Sequence, residues 1–386
     1  MSTAIHLSLS EIWRNRGRFV LFSLVVALIT VLILFVAALG EGLGTGNREL
    51  IENLNAELIV YQDTARLSIA SSRIDEDTLR AVRYVDGVRA VGSLGFSSAA
   101  VILDGEDEPL DVALIGIEPG KPGEPAVVSG QGLRRKNGDE AIVDRTIAAV
   151  AGLEVGDEIT LRTLQGDEDE FYTLKVVGIS ESQKYGIRPS VFAPLYTWDE
   201  VRAKGTPGRS TAAPVGNVAA VQLEDPAQME VLSQQIETRV DGVQAVDRRT
   251  AYESTPGYTE QQSTLGTQNA FALLIGVLVI GGFFQIQTLQ KVPQIGMLKA
   301  IGTPNAIVAV AALLQIVAVT LLGVLIGSAV TLALSLGFPP NIPIVFEPGS
   351  AALAVGTIML MGPLGGLVSV RYSLKVEPLI ALGLSA

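Results

Sequence analysis

Cysteine is absent from the 386 residues of this sequence, and histidine occurs once, as His6. Those absences exclude disulfides, thiolate metal sites, cysteine nucleophiles and histidine-based triads. No G-x-x-x-x-G-K-[ST] phosphate loop occurs, so nucleotide hydrolysis by that route is not expected of this chain. The glycines Gly40, Gly42, Gly44 and Gly46 lack the lysine and the preceding strand of such a loop, and read as a pliable exit segment. Positive charge is scarce: 28 Lys and Arg stand against 40 Asp and Glu, a formal net charge of −12. That balance argues against a nucleic-acid partner. Charged residues make up only 18% of the chain and hydrophobic ones 48%, too apolar for an acidic soluble protein of this length.

Long stretches hold no charge at all. Between Arg18 and Glu41 lie 22 uncharged residues, and three further gaps run from Glu260 to Lys291, from Lys299 to Glu347 and from Glu347 to Arg371. At about 1.5 Å per residue the first reaches roughly 33 Å, enough to cross a hydrocarbon core. Four spans are expected, at 19–40, 266–290, 305–336 and 350–370. The first apolar run is too long for the core of a signal peptide and lacks an A-x-A-like site, so it reads as a retained span.

The basic residues orient these spans. Outside 41–265 the Lys and Arg are Arg14, Arg16, Arg18, Lys291, Lys299, Arg371 and Lys375, and four spans put all seven on one side. The positive-inside rule makes that side cytoplasmic, with both termini inside and 41–265 outside. Between the spans lie a short cytoplasmic segment, 291–304, and an external loop, 337–349. Segments 1–18 and 371–386 flank the bundle inside. No Asp, Glu, Lys, Arg or His stands within the apolar runs, which disfavours an ion-coupled transporter or an intramembrane aspartyl protease. Gln285, Gln287 and Gln315 read as hydrogen-bonding groups between helices. Gly323 with Gly327, and Gly362 with Gly366, have the spacing of close helix contacts.

The stretch 41–265 is domain-sized. V-D-G-V-R-A-V at 85–91 recurs as V-D-G-V-Q-A-V at 240–246, each copy following a helix-like segment and leading into a strand. With the apolar strands 57–61 and 218–223 this predicts two β-α-β halves near 55–100 and 215–250 sharing one sheet. Between them, 100–215 alternates as a mainly β insertion, with SSAAVILDG, LDVALIGIE, EITLRTL and FYTLKVVGI as strands. The Gly/Pro/Ser/Thr-rich run 203–214 reads as a loop. The acidic runs 104–108 and 167–170 lack EF-hand spacing and read as solvated turns, so no metal site is expected. The fold class is therefore a membrane protein of four transmembrane α-helices with a large α+β extracytoplasmic domain inserted between helices 1 and 2.

From Lys291 to Ile307 the chain reads K-V-P-Q-I-G-M-L-K-A-I-G-T-P-N-A-I. This resembles the signature R-x-x-E-I-G-x-L-[RK]-A-[IL]-G-A of the MacB/FtsX-like permease family of ABC transporters. The matching residues are Ile295, Gly296, Leu298, Lys299, Ala300, Ile301 and Gly302; the family's Glu is Gln294 here, and Thr303, Pro304 and Asn305 replace its following basic cluster. Three more stretches agree. L-S-L-S-E-I-W-R-N-R-G-R looks like the family's amphipathic pre-helix, with Ile5, Leu9, Ile12 and Trp13 on one face. R-Y-S-L-K-V-E-P-L-I-A-L-G looks like its C-terminal ending, with Glu377 and Pro378 matching an acidic-proline pair. The run 139–161 resembles its outer domain, and the four-span layout is similar to the DevC-type subfamily.

The resemblance implies a non-catalytic permease subunit that forms a dimer, with a second copy or a paralogue, and pairs with a separate ABC ATP-binding subunit. ATP and magnesium would belong to that partner, and this chain would carry no cofactor. Gln294, Ile295, Gly296, Met297, Leu298, Lys299, Ala300 and Gly302 would form the ATPase-coupling segment, and Gly296→Trp or Lys299→Glu is expected to uncouple hydrolysis without unfolding the chain. The output would be export of a lipid, lipoprotein, glycolipid, peptide or drug, or transmission of motion to the outside. The alternative is an FtsX-like regulator of an extracellular cell-wall hydrolase. Membrane lipids and an extracytoplasmic adaptor or hydrolase are the other expected partners. Absence of N-x-[ST] sites fits a bacterial plasma membrane. A membrane-anchored outer enzyme would need a Ser–Lys or carboxylate pair, and no motif singles one out.

Overall fold

A computed structural model describes residues 13–103, 108–204, 214–337 and 344–375. The chain divides into two compact units, Leu43–Gln261 and the remainder. Among the described residues, four helices are long and apolar enough to cross a membrane: within Arg16–Gly46, Tyr258–Gln290, Asn305–Ser335 and Pro348–Gly366. The inserted α+β unit lies between the first and the second of them. Most of the amphipathic N-terminal segment, with His6, and the Glu377–Pro378 pair fall outside the described residues, as do most of the loop 203–214 and the acidic run 104–107. Trp13 is described and largely exposed.

The inserted unit is one sheet. Helix α1 (Arg16–Glu52) enters it, followed by β1 (Leu58–Gln62), α2 (Glu76–Arg83) and β2 (Val88–Ile102). At the other end of the unit come β10 (Val218–Leu223), α5 (Met229–Arg239), β11 (Val243–Asp247) and α6 (Arg248–Glu253). Strand order β11-β1-β10-β2 is antiparallel between every neighbour, so each β-α-β crossover leaves a gap that a strand of the other half fills. The V-D-G-V copies sit at the same place in each half, where helix turns into strand. Gly87 (φ 91°) and Gly242 (φ 74°) supply the left-handed turn residue there. Asp75 caps α2 by accepting from the Thr78 amide.

Strand β1 shows how the layers stack. Leu58 and Val60 point into one core with Leu79, Val82, Leu232 and Ile236 of the two helices. Ile59 and Tyr61 point to the opposite face, into a second core with Leu50 and Ile51 from the end of α1 and Leu54 just past it. A sheet covered on both faces needs near-continuous apolar strands, which is why LIVY lacks a polar alternate.

The intervening elements are β3 (Leu110–Ile117), β4 (Val127–Gly130), β5 (Glu140–Asp144), α3 (Arg145–Ala151), β6 (Glu158–Gln165), β7 (Glu168–Ser180), β8 (Lys184–Tyr185), β9 (Arg188–Pro194) and α4 (Leu195–Val201). They continue the sheet as β2-β3-β9-β5-β7-β4 rather than forming a separate layer. SSAAVILDG is therefore not a strand of its own. Its residues 97–102 complete β2, which pairs with β10 through its first half and with β3 and β6 through its second. Within 167–170, Asp167 forms the β6–β7 turn with Gly166, and Glu168 to Glu170 begin β7; no metal-holding cluster occurs among the described residues.

Two features of this unit depend on particular residues. Gly95 and Gly116 face each other across β2 and β3, and the Trp198 ring of α4 lies on both; a Cβ at either would fall within 2.6 Å of it. Its indole N–H donates to Ser97 Oγ at 2.9 Å. The β8–β9 hairpin turns through Gly186 and Ile187, both left-handed (φ 59° and 68°), the geometry of a tight primed turn. A β-branched residue there is strained. The Ile187 amide donates to the Gly46 carbonyl of α1 at 3.1 Å, and a Cβ on Gly46 would lie 3.2 Å from Ile187 Cα.

Next to that contact, Glu49 accepts from the Lys184 amide (3.3 Å) and Ser182 Oγ (3.4 Å). Burial raises its pKa above the ordinary 4.5; the Lys184 amide opposes this and the Asp144 charge adds to it. The folded state thus favours protonated Glu49. Its stabilisation is complete below the ordinary value and is lost as pH rises through the folded value. Denaturation midpoints of the full chain should accordingly fall as pH rises above about 4.5, and Glu49→Gln should flatten that slope; an unchanged slope would remove Glu49 as its source.

Candidate functional site

The segment between the second and third spans forms a short helix. The second span, α7 (Tyr258–Gln290), ends where Lys291 begins a turn; α8 (Val292–Ala300) follows, with Pro293 in its first turn, where a missing N–H costs nothing. The third and fourth spans are α9 (Asn305–Ser335) and α10 (Pro348–Lys375). The stop after α8 is written in I-G-T-P. Gly302 takes φ 93°, its amide donates to the Lys299 carbonyl (2.9 Å), and the Thr303 amide donates to Leu298 (3.1 Å). That is the paired closure of a helix ending in a left-handed residue, and glycine takes that backbone without a Cβ penalty. Pro304 then precedes α9 in an extended conformation.

The helix divides the expected coupling residues into two faces. Ile295 and Gly296 are buried, and Leu298 lines a cavity behind them. Gln294, Met297, Ala300 and Gly302 are exposed, Met297 by 54%, while Lys299 is half-buried. Ile301, which joins this face, is 79% exposed. The split changes the choice of probe: Gly296→Trp would drive a large ring into buried packing, so the expectation that it spares the fold is withdrawn on burial.

Behind α8 lies a cavity of about 90 Å³ between α7, α8 and α9. Lys291 Nζ donates to Gln315 Oε1 at 3.0 Å and sits 5.8 Å from the centre of the Phe19 ring on α1. Gln287 and Thr288 of α7 also line it and are, like Gln315, more than nine-tenths buried. Arg18 Nη1 donates to Gln290 Oε1 (3.3 Å), so Arg18 and Lys291 meet at one end of the bundle. Arg14, Arg16 and Arg371 are exposed and Lys375 closes α10.

The glycine pairs seat the helices. A Cβ on Gly323 would lie 2.5 Å from Val26, and one on Gly327 2.6 Å from Thr30, both on α1. Gly362 and Gly366 press on Thr320 and Ile316, so α9 is gripped from two sides. Sequence reasoning missed a third contact, Gly281 of α7 on Gly365 of α10, although each lies in a Gly-Gly pair. Such close approach brings dispersion contacts and backbone dipoles together where apolar burial gives no driving force.

Comparison with known proteins adds the following. A family model described as FtsX-like permease C-terminal matches residues 269–378, and one described as MacB-like periplasmic core domain matches 19–239. A Staphylococcus haemolyticus protein provisionally named hemin transport system permease protein HrtB is 24% identical over 98% of this chain and 99% of its own. An uncharacterized ABC transporter permease of Mycobacterium tuberculosis, Rv2563, is 23% identical over 96% of this chain and 97% of its own. Among solved structures, the extracellular domain of the noncanonic ABC-type transporter YknZ aligns with a TM-score of 0.35 and 16% identity, covering 50% of this chain and 99% of that one.

Proposed function

Because the chain belongs to the MacB/FtsX-like family of ABC transporter permeases, we propose that it is the non-catalytic half of its transporter and that α8 is where a separate ATP-binding subunit docks. The observation that carries the reading is the exposed face of α8. Met297, and Ile301 just past its end, present apolar side chains between exposed Gln294 and Ala300 on one side of a nine-residue helix tying two spans together. An exposed apolar anchor of this kind is what a docking partner buries. With the basic residues inside, that face is cytoplasmic, where ATP is.

Nucleotide-driven closure of two partner subunits would displace α8 in each of two permease copies and shift the spans it joins. The glycine-seated contacts make α9 a stiff lever between α1 and α10. The result is export or mechanotransmission, and the relatives named for hemin transport make hemin the first substrate to offer. Tagged protein purified in mild detergent from its native cells should bring down an ABC ATP-binding subunit in equal amount. An intact complex of this chain without an ATPase would overturn the reading. A co-purifying cell-wall hydrolase would assign the output to regulation instead of export.

A further inference from the structure

We propose that the cavity behind α8 is a binding site for the phosphate head of an anionic phospholipid drawn from the surrounding leaflet. The inference stands apart from the docking of an ATPase on the opposite, exposed face of α8.

Three observations point to this ligand. Lys291 is the first charge after the 30 uncharged residues that follow Glu260, so its ammonium stands where a span ends and the lipid headgroups begin. It turns inward, onto Gln315 Oε1 (3.0 Å) and the Phe19 ring, and lines the cavity. Among the described residues no carboxylate lines the cavity, and Lys291 is the one charged residue among them that does. Gln287, more than nine-tenths buried, adds an amide N–H that can donate to a phosphate oxygen, and Gln315 holds the ammonium in place.

Size and polarity narrow the ligand further. A space of about 90 Å³ holds roughly six to nine non-hydrogen atoms, since one water needs about 10–15 Å³ on this scale. A phosphate ester with its first carbons fits; a whole lipid does not, so the acyl chains would run outside. Phe284, Val308 and Ile316 continue the wall with apolar surface, which suits the ester carbons behind the phosphate.

The experiment uses the full chain in nanodiscs of phosphatidylcholine alone or with phosphatidylglycerol, reading retained lipid by native mass spectrometry after detergent release. Wild type should retain phosphatidylglycerol over phosphatidylcholine. Lys291→Gln should cut that preference about tenfold, the factor carried by one charge-assisted hydrogen bond. Lys291→Arg should restore it, and Arg371→Gln, which removes a cation from the bundle surface, should leave it unchanged. Equal thermal midpoints of Lys291→Gln and wild type in phosphatidylcholine show that the variant is folded; if they differ, loss of preference in Gln315→Leu replaces that arm. Retention unaffected by Lys291→Gln, or lost equally in Arg371→Gln, overturns the site. Full displacement by inorganic phosphate overturns the lipid as its source and makes the ligand a soluble anion.

Discussion

Trp198→Ala should destabilise the inserted unit by about 3–5 kcal/mol, the cost of removing a large buried ring. Trp198 is 2% exposed, and its ring fills the groove that Gly95 and Gly116 leave open on β2 and β3. Neither glycine can refill the space, because neither has a side chain. The loss also removes the indole N–H that donates to Ser97 Oγ, leaving that hydroxyl only its own bond to the Leu114 carbonyl (3.3 Å). Chemical denaturation of the full chain, followed by far-ultraviolet circular dichroism, should show an early transition in the β-rich signal while the helical signal persists. A variant within about 1 kcal/mol of wild type would mean that the groove closes by itself.

The second large effect belongs to α8. Met297→Glu combined with Ile301→Glu should strip the ATP-binding subunit from the purified complex, a loss of at least about 2 kcal/mol or roughly 30-fold in affinity. Both side chains are exposed, so the variant should insert and melt as wild type does. Full retention of the ATPase would move the docking surface elsewhere. Lys299→Glu, tested alone, separates charge from apolar contact: Lys299 is half-buried, and reversal of its sign should weaken docking less than the double variant.

Much of this architecture can be read from residues. The four spans follow from charge gaps, because a charge in hydrocarbon is costly enough that its absence over 20 residues is informative. The two β-α-β halves follow from V-D-G-V, because Gly87 and Gly242 must turn left-handed at matched places. The stop of α8 follows from G-T-P for the same reason. What resists reading is non-local. Nothing in GFSS at 95–98 says that one strand continues through it; that depends on β10, β3 and β6 lining up along its edges. The pairing of Gly95 with Gly116 beneath a tryptophan some eighty residues later leaves no periodic mark. The faces of α8 are hidden too. I-G-M-L-K-A-I is apolar on nearly every side, so the burial of Ile295 and the exposure of Ile301 are decided by the neighbouring spans.

The left-handed Ile187 has a consequence for how this protein would change under selection. Holding a β-branched residue at φ 68° costs on the order of 1–3 kcal/mol, and glycine or asparagine would occupy the same turn at less cost. A laboratory lineage selected for heat resistance alone should therefore find position 187 early. A lineage selected for transport has a reason to leave it alone if the hairpin must let go of Gly46 during the cycle, since an unstrained turn would hold on longer. The residue that comes back from each selection would tell whether the strain is cargo or cost.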